Sequence, residues 1–368
     1  MDLFDDAAKN GEELKNIDTY SVKCQTCGGT MIFDPVSQSL KCDHCGNTVD
    51  IQKNHDVKEN DVVEGFEKAT KWDGDEQGTY KCKNCGAVVV LNKDEHAALC
   101  PFCGTSHIVK EGAFKGLKPQ VVVPFSVTGE DAEKYAKAWA KKRIFAPSKF
   151  KKSLIVENIH GVYEPCFTFD SNVEAYYEGR VGERRTRTVG SGKNRRTETY
   201  IVYYHIHGVI NKFIDDIYVA TNVNFPQAKM EKMMPFRPET ACVYENKYLS
   251  GFMAESYQKD LKDSWEDAKK MIDKIIRAEI KNRHNYDVVD YINVSATHSD
   301  VTYKYVLLPV YFLNYAYKQK SYEVCINGAT GKVTGKTPKS PIRIAIAAVL
   351  GLAVAAALAV LLYMFYKS

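Results

Sequence analysis

The chain has 368 residues, with 50 basic against 46 acidic side chains and a formal charge of +4. So small an excess argues against a protein that grips nucleic acid through phosphate contacts, which supply most nonspecific affinity. Eleven cysteines follow a start, MDLFDDAAKN, that is acidic and carries no apolar signal stretch; this disfavours a disulfide framework, and metal ligands or free thiols in a reducing cytosol are expected.

After an acidic segment, residues 1–19, eight of the cysteines fall into one spacing used twice. Cys24-x2-Cys27-x14-Cys42-x2-Cys45 recurs as Cys82-x2-Cys85-x14-Cys100-x2-Cys103, each cysteine displaced by 58 residues. A Cys-x2-Cys turn aims two thiolates at one cation, and a 14-residue spacer lets a hairpin return the second pair. The pattern predicts two zinc ribbons, 20–52 and 78–110, each with one structural Zn2+. Gly28, Gly46, Gly86 and Gly104 follow the second cysteine of each pair, where a thiolate-binding turn needs φ > 0. A redox dithiol would precede a helix, whereas strand-like runs flank these pairs, Thr30 to Phe33 and Ala87 to Leu91. Four cysteines close the coordination shell, so the expected role is structural rather than catalytic. His44 and His96 are the substitutes should a cysteine not ligate, and are otherwise spacer residues. Each ribbon has too little apolar material to fold without its metal. The acidic linker 53–77 holds Val62, Val63, Phe66 and Trp72, a short helix expected to dock on a partner or on the ribbons.

Residues 111–337 are long enough for a core of their own. The unit opens at Val121 to Phe125, and Thr128 caps a helix that runs to about Phe145 and stops before Pro147. Its predicted stripe is Tyr135, Ala138, Trp139 and Lys142. A second helix spans Asp263 to about Asn282, with Trp265, Ala268, Ile272, Ile275 and Ile276 on one face. Strands are expected over 161–177, 199–210, 287–294, 302–317 and 322–326. The class is α+β and mostly antiparallel. Pro309 inside a strand run suggests an edge, a bulge or a strand start. The 23 tyrosines suit half-buried sheets, and Cys166, Cys242 and Cys325 read as small buried hydrophobes.

Three further constellations bear on function. Gly328 to Thr337 imitates a phosphate loop, but Thr330 stands where a glycine is required and Pro338 and Pro341 forbid the following helix; Asn327-Gly328 instead signals a hairpin turn. His205 and His207 share one face of a strand without a third ligand nearby in sequence, and an open zinc site there would be needed for a hydrolase. Arg180, Arg184, Arg185, Arg187, Lys193, Arg195 and Arg196 face a lone Glu183. That run is either a mobile basic hairpin loop or a surface for anions, lipid headgroups before nucleic acid.

Segment 338–368 closes the chain. Ile344 to Phe365 is 22 residues without a charge, about 33 Å of helix, enough to cross a hydrocarbon core. Lys332, Lys336, Lys339 and Arg343 precede it against Lys367 after it, which predicts a single pass with the large N-terminal part cytoplasmic.

The paired knuckles, Gly161-Val162-Tyr163-Glu164-Pro165-Cys166-Phe167, Tyr248 to Phe252 with Ala254 to Tyr257, Leu308 to Tyr311 and Asn327 to Lys332 resemble the bacterial TFIIB-type zinc-ribbon membrane proteins. Members often carry a primosomal helicase-like label, which this chain contradicts by lacking a Walker A loop. The resemblance implies zinc at the eight ribbon cysteines and work beside an SPFH-domain protein and a phage-shock-type protein at a stressed membrane. The expectation is a non-enzymatic, tail-anchored adaptor that uses its ribbons for protein–protein interaction, touches membrane lipid and takes no small-molecule substrate. The alternative is a membrane-tethered nucleic-acid binder.

Overall fold

The computed structural model describes residues 22–68, 77–83, 88–92, 108–113, 117–152, 159–317 and 320–367. Strands β1 (Val22–Lys23), β2 (Thr30–Asp34), β3 (Ser39–Cys42) and β4 (Thr48–Asp50) form a four-stranded antiparallel sheet in sequential order. This is the first cysteine ribbon. It buries Met31, Phe33 and Leu40 against the rest of the chain, apolar residues alternating with the polar face as a half-buried strand requires.

β5 (Asn60–Asp61) leads into α1 (Val62–Lys68), whose first amides, those of Val63 and Glu64, donate to Asp61 Oδ1. The linker helix therefore exists, and it is seated against Tyr303 and Leu261. Val62 is buried, and Gly65 lies so close to Tyr303 and Leu261 that a Cβ would collide with both. The acidic linker is stitched down as well: Lys304 Nζ binds Glu59 at 2.9 Å, and Thr302 Oγ1 donates to Glu59 at 2.5 Å.

The remaining strands join one sheet, twelve-stranded among the described residues. β6 (Gln77–Cys82), β7 (Val88–Asn92) and β8 (Ile108–Ala113) come from the second cysteine segment and extend one end of it. The central part follows: β9 (Val121–Val122), α2 (Gly129–Lys141), α3 (Ser148–Lys152), β10 (Ile159–Val189), β11 (Arg196–Ala220), α4 (Gln227–Met233), β12 (Cys242–Val243), β13 (Met253–Glu255), α5 (Leu261–His284), β14 (Val288–Tyr317), β15 (Lys320–Asn327) and β16 (Val333–Gly335). Only β10–β13 and β14–β9 pair in parallel among the described strands. The α+β, mostly antiparallel class holds.

β10, β11 and β14 build a three-stranded ribbon with β10 in the middle. The two segments expected at 287–294 and 302–317 are one strand. α5 covers one face of this ribbon, with Trp265 against Phe169 and His298, and Tyr204 Oη donating to the His284 carbonyl at 2.9 Å. Its buried stripe is Leu261, Trp265, Ala268, Ile272, Ile276 and Ile280, and Asp260 caps it by accepting from Asp263 N at 2.7 Å.

Two prolines sit inside long strands without breaking them. Pro309 faces β10 on one side; on the other, β9 ends opposite Leu307 and β15 ends, at Asn327, opposite Val310. Pro165 lies in the same kind of gap, between the end of β13 and the end of β11. A missing N–H costs nothing where no partner strand waits for it.

In α2 the cap is Thr128, accepting from Asp131 N at 3.1 Å, but the buried face is Ala132, Ala136 and Ala140. Tyr135, Ala138 and Lys142 are exposed while Trp139 packs half-buried against the core, which corrects all of the expected stripe but Trp139: small residues one turn apart let the helix lie close on the sheet. The helix also ends at Lys141, short of Phe145.

Candidate metal centre

Each knuckle of the first ribbon is built by the same local bonds. Gly28 N donates to the Cys24 carbonyl at 2.8 Å and Gly46 N to the Cys42 carbonyl at 2.9 Å. Both glycines have positive φ, +71° and +75°, as the spacing predicts. Cys24 N then donates to Gly29 O, and Cys42 N to Asn47 O, each at 2.8 Å, closing both turns.

The two turns face one another. The Sγ atoms of Cys24, Cys27, Cys42 and Cys45 all lie within 4.8 Å, with Cys24–Cys45 and Cys27–Cys42 at 3.6 Å. Four sulfurs about 2.3 Å from a tetrahedral zinc would stand about 3.8 Å apart. The donor set fits a tetrahedral cation and can hold a metal ion. Cys24 and Cys42 are buried while Cys27 and Cys45 are exposed, so the centre lies at the ribbon's rim. A Cβ on Gly29 would press on the Cys27 and Cys42 sulfurs at 3.3 Å, the reason this position is also glycine.

Electrostatics favour an ion there. Backbone amides of Cys27 and then Thr26 hold the Cys24 thiol down to about 6, and those of Cys45 and then His44 act likewise on Cys42. For Cys27 the Gly29 amide pulls down, yet the thiols of Cys45 and Cys42 together with burial push it up to about 12. Four thiolates in so small a volume repel one another unless a cation sits among them. Four sulfurs leave such a cation no open position for water, which suits a structural centre. His44 is exposed and stands outside the four-sulfur set.

Of the second quartet, Cys82 is buried at the end of β6. Cys85, Cys100 and Cys103 lie outside the described residues, as do His96, Gly86, Gly104 and Trp72.

The ribbon is not a free arm. Phe33 N donates to Ser250 O at 2.9 Å, Ser250 Oγ to Met31 O at 2.5 Å, and Gln38 Nε2 to Phe125 O at 2.7 Å. The Phe33 ring meets Tyr248 edge-on at 5.4 Å and Phe252 at 6.4 Å. Gly251, at φ +82°, lets its loop approach Ile32. The motif Tyr248 to Phe252 is the seat of the ribbon, a role that its local sequence does not signal.

The basic run is an ordered hairpin end. Pairing continues to Val189 opposite Arg196, so Arg180, Arg184, Arg185, Arg187 and Arg196 are strand, while Lys193 lies in the single turn Gly192–Asn194 and Arg195 follows it. Arg180 pairs with Asp290, Arg185 with Glu183, and Arg187 and Arg196 with Glu198, at 2.8–3.2 Å. Arg184 and Arg195 are exposed on the same hairpin end, which Lys193 also joins. His205 and His207 lie exposed on the face away from α5, opposite Arg180 and Glu178.

Two acidic groupings were not foreseen. Asp170, Asp215 and Asp216 converge closely enough for a metal, but Lys304 Nζ already lies 2.9 Å from Asp216 and 3.6 Å from Asp170, where a cation would sit. Glu164 and Glu255 are wholly buried side by side, with Asn222 Nδ2 3.4 Å from Glu164. Burial pushes Glu164 up to about 8, and burial with the neighbouring Glu164 raises Glu255 as well. Nearby, a cleft of about 640 Å³ is lined by Asn222, Gln258, Lys259, Asp267 and Lys270. Among its lining charges, Lys259 and Lys270 pair with Asp267 at 2.5 and 2.8 Å.

The last element is α6 (Pro341–Lys367), with its apolar residues exposed throughout. It is long and apolar enough to cross a membrane, and none of its apolar span is buried. A four-cysteine ribbon seated on an α+β sheet, with a chain that closes in an exposed apolar helix, is the class of protein that fold and centre define. The chain is 31% identical over 326 residues to the uncharacterized protein YdjG of Bacillus subtilis (strain 168), covering 87% of this chain and 90% of that protein. It belongs to the same family. No family model matches the chain, and no solved structure matches it.

Proposed function

We propose that the protein is a non-enzymatic membrane adaptor: α6 anchors it in a single pass, the sheet domain is the platform, and two structural zinc ribbons hold the surface that a protein partner reads. The observation that carries this reading is the closed four-sulfur cluster on a ribbon locked to the domain from which the exposed apolar helix departs. A shell of four thiolates offers no site for substrate, and its rim position leaves Cys27 and Cys45 at the surface. Lys332, Lys336, Lys339 and Arg343 before the span support a cytoplasmic sheet domain. The resemblance to zinc-ribbon membrane proteins makes an SPFH-type or phage-shock-type protein the partner to look for first.

The test is affinity purification of the full-length chain from native membranes beside a variant with the eight ribbon cysteines changed to serine, with zinc measured in both. A protein partner retained only by the zinc-loaded form, and resistant to nuclease, supports the adaptor. Nuclease-sensitive capture would favour a membrane-tethered nucleic-acid binder, and unchanged partners in the serine variant would remove the ribbons from the account.

A further inference from the structure

The turn between α2 and α3 carries the sequence Lys141-Lys142-Arg143-Ile144-Phe145 and leads into Lys149 and Lys152 of α3. It is fixed from both sides. Arg143 N and Ala146 N donate to Ala140 O and Arg143 O at 3.0 Å, and Ala146 and Phe150 are buried in the core. Yet Ile144 is 66% exposed and Phe145 37%, an apolar pair presented to solvent by a well-anchored turn.

The start of α6 is bound to this same turn. Ser340 N donates to Phe145 O at 2.8 Å, Arg343 Nη1 to Ile144 O at 3.1 Å and Arg343 Nη2 to Ser148 Oγ at 2.7 Å. The uncharged run begins at the next residue, Ile344. If α6 crosses a bilayer, Arg343 marks the headgroup level, and a backbone atom hydrogen-bonded to its guanidinium lies within a side chain's reach of that level. Interfacial elements bury apolar side chains about 5–10 Å into the boundary between headgroups and acyl chains while lysines stay among the headgroups. Ile144 and Phe145 among exposed lysines have that composition.

We propose that this turn is a second, peripheral contact with the membrane: Ile144 and Phe145 enter the headgroup–acyl boundary beside α6, and Lys141, Lys142, Lys149 and Lys152 bind anionic headgroups. The inference rests on the anchor reading above. Its consequence is mechanical. One helix leaves a domain free to tilt and spin, whereas two contacts tied together by Arg343 hold the sheet domain in one orientation to the bilayer. The Arg180 to Arg196 hairpin end, by contrast, is separated from the base of β10 at Ile159 by about 70 to 100 Å of strand.

The test uses the full-length chain in vesicles of phosphatidylcholine, with and without phosphatidylglycerol, containing lipid brominated near the glycerol end of its chains. Alkaline extraction first establishes whether the chain is integral. Ile144→Trp is compared with the parent, which carries Trp72, Trp139 and Trp265, and with Val209→Trp, an exposed position on the distant ribbon face. The expected result is a blue shift and bromine quenching for Ile144→Trp beyond that of the parent and of Val209→Trp, stronger with the anionic lipid. An integral chain whose Ile144→Trp is quenched no more than the parent overturns the peripheral contact and leaves the anchor standing. A chain released by alkali overturns both.

Discussion

At the level of single residues, the metal centre depends on glycines as much as on cysteines. Gly28 and Gly46 have φ of +71° and +75° with open space around their missing side chains, so alanine there meets only backbone strain, about 1–2 kcal/mol. The expected result for either substitution is zinc retention weakened about five- to thirtyfold in chelator competition, with zinc still bound. Gly29→Ala presses on two of the sulfurs and should cost more than either. A different residue-scale effect comes from Glu164, which burial raises to about 8 from an ordinary 4.5. A carboxyl held neutral by folding contributes stability in full below pH 4.5, and that contribution declines as pH rises toward 8. Glu59 acts in the opposite sense: its bonds to Asp170, Thr302 and Lys304 hold it down to about 2, so its contribution is present above pH 4.5 and lost as pH falls through 2. Glu164→Gln should therefore raise the unfolding midpoint at pH 8 more than at pH 5, and an equal shift at both would contradict the burial argument. Cysteines and knuckle glycines were legible in the sequence because metal spacing is local. Glu164 stands in the sequence as one residue of the motif Gly161 to Phe167; Asn222 and Glu255, which explain its burial, come from distant elements.

Among the elements, helices and hairpin turns were legible where a local rule governs them. Thr128 caps α2 and Asn327 organises the turn after β15, accepting from Ala329 N and Thr330 N at 2.8 and 3.0 Å. Strand length was not legible. β10, β11 and β14 run on because each is continued by its neighbour, and nothing in Val189 or Ala296 alone says that a partner waits across the ribbon. Docking of the first ribbon was hidden for the same reason, since Ser250 and Met31 are 219 residues apart. This contact has a clear test. Phe33 is buried between the ribbon and Tyr248 and Phe252, and Phe33→Ala should cost about 3–5 kcal/mol of docking and core packing. Zinc content should stay unchanged while hydrogen exchange quickens at the position-33 amide, which donates to Ser250 O. Loss of zinc together with docking would show instead that the ribbon cannot hold its metal away from the domain.

In the whole molecule, one α+β domain carries both the four-cysteine cluster and an exposed apolar helix. α6 leaves its apolar surface exposed and is tied to the body mainly through Ser340 and Arg343. Deleting 341–367 should move the chain from the membrane to the soluble fraction with its circular dichroism per residue otherwise preserved, checked by fractionation and spectra side by side. A deletion that unfolds the domain would mean the helix is part of the core. The most direct measurement of the central claim is zinc per chain, with the zinc absorption edge, on the full-length protein and on Cys24→Ser/Cys42→Ser. Sulfur neighbours at about 2.3 Å and one fewer zinc ion per chain in the variant are expected. Equal zinc in the two proteins, or zinc without sulfur neighbours, would contradict it.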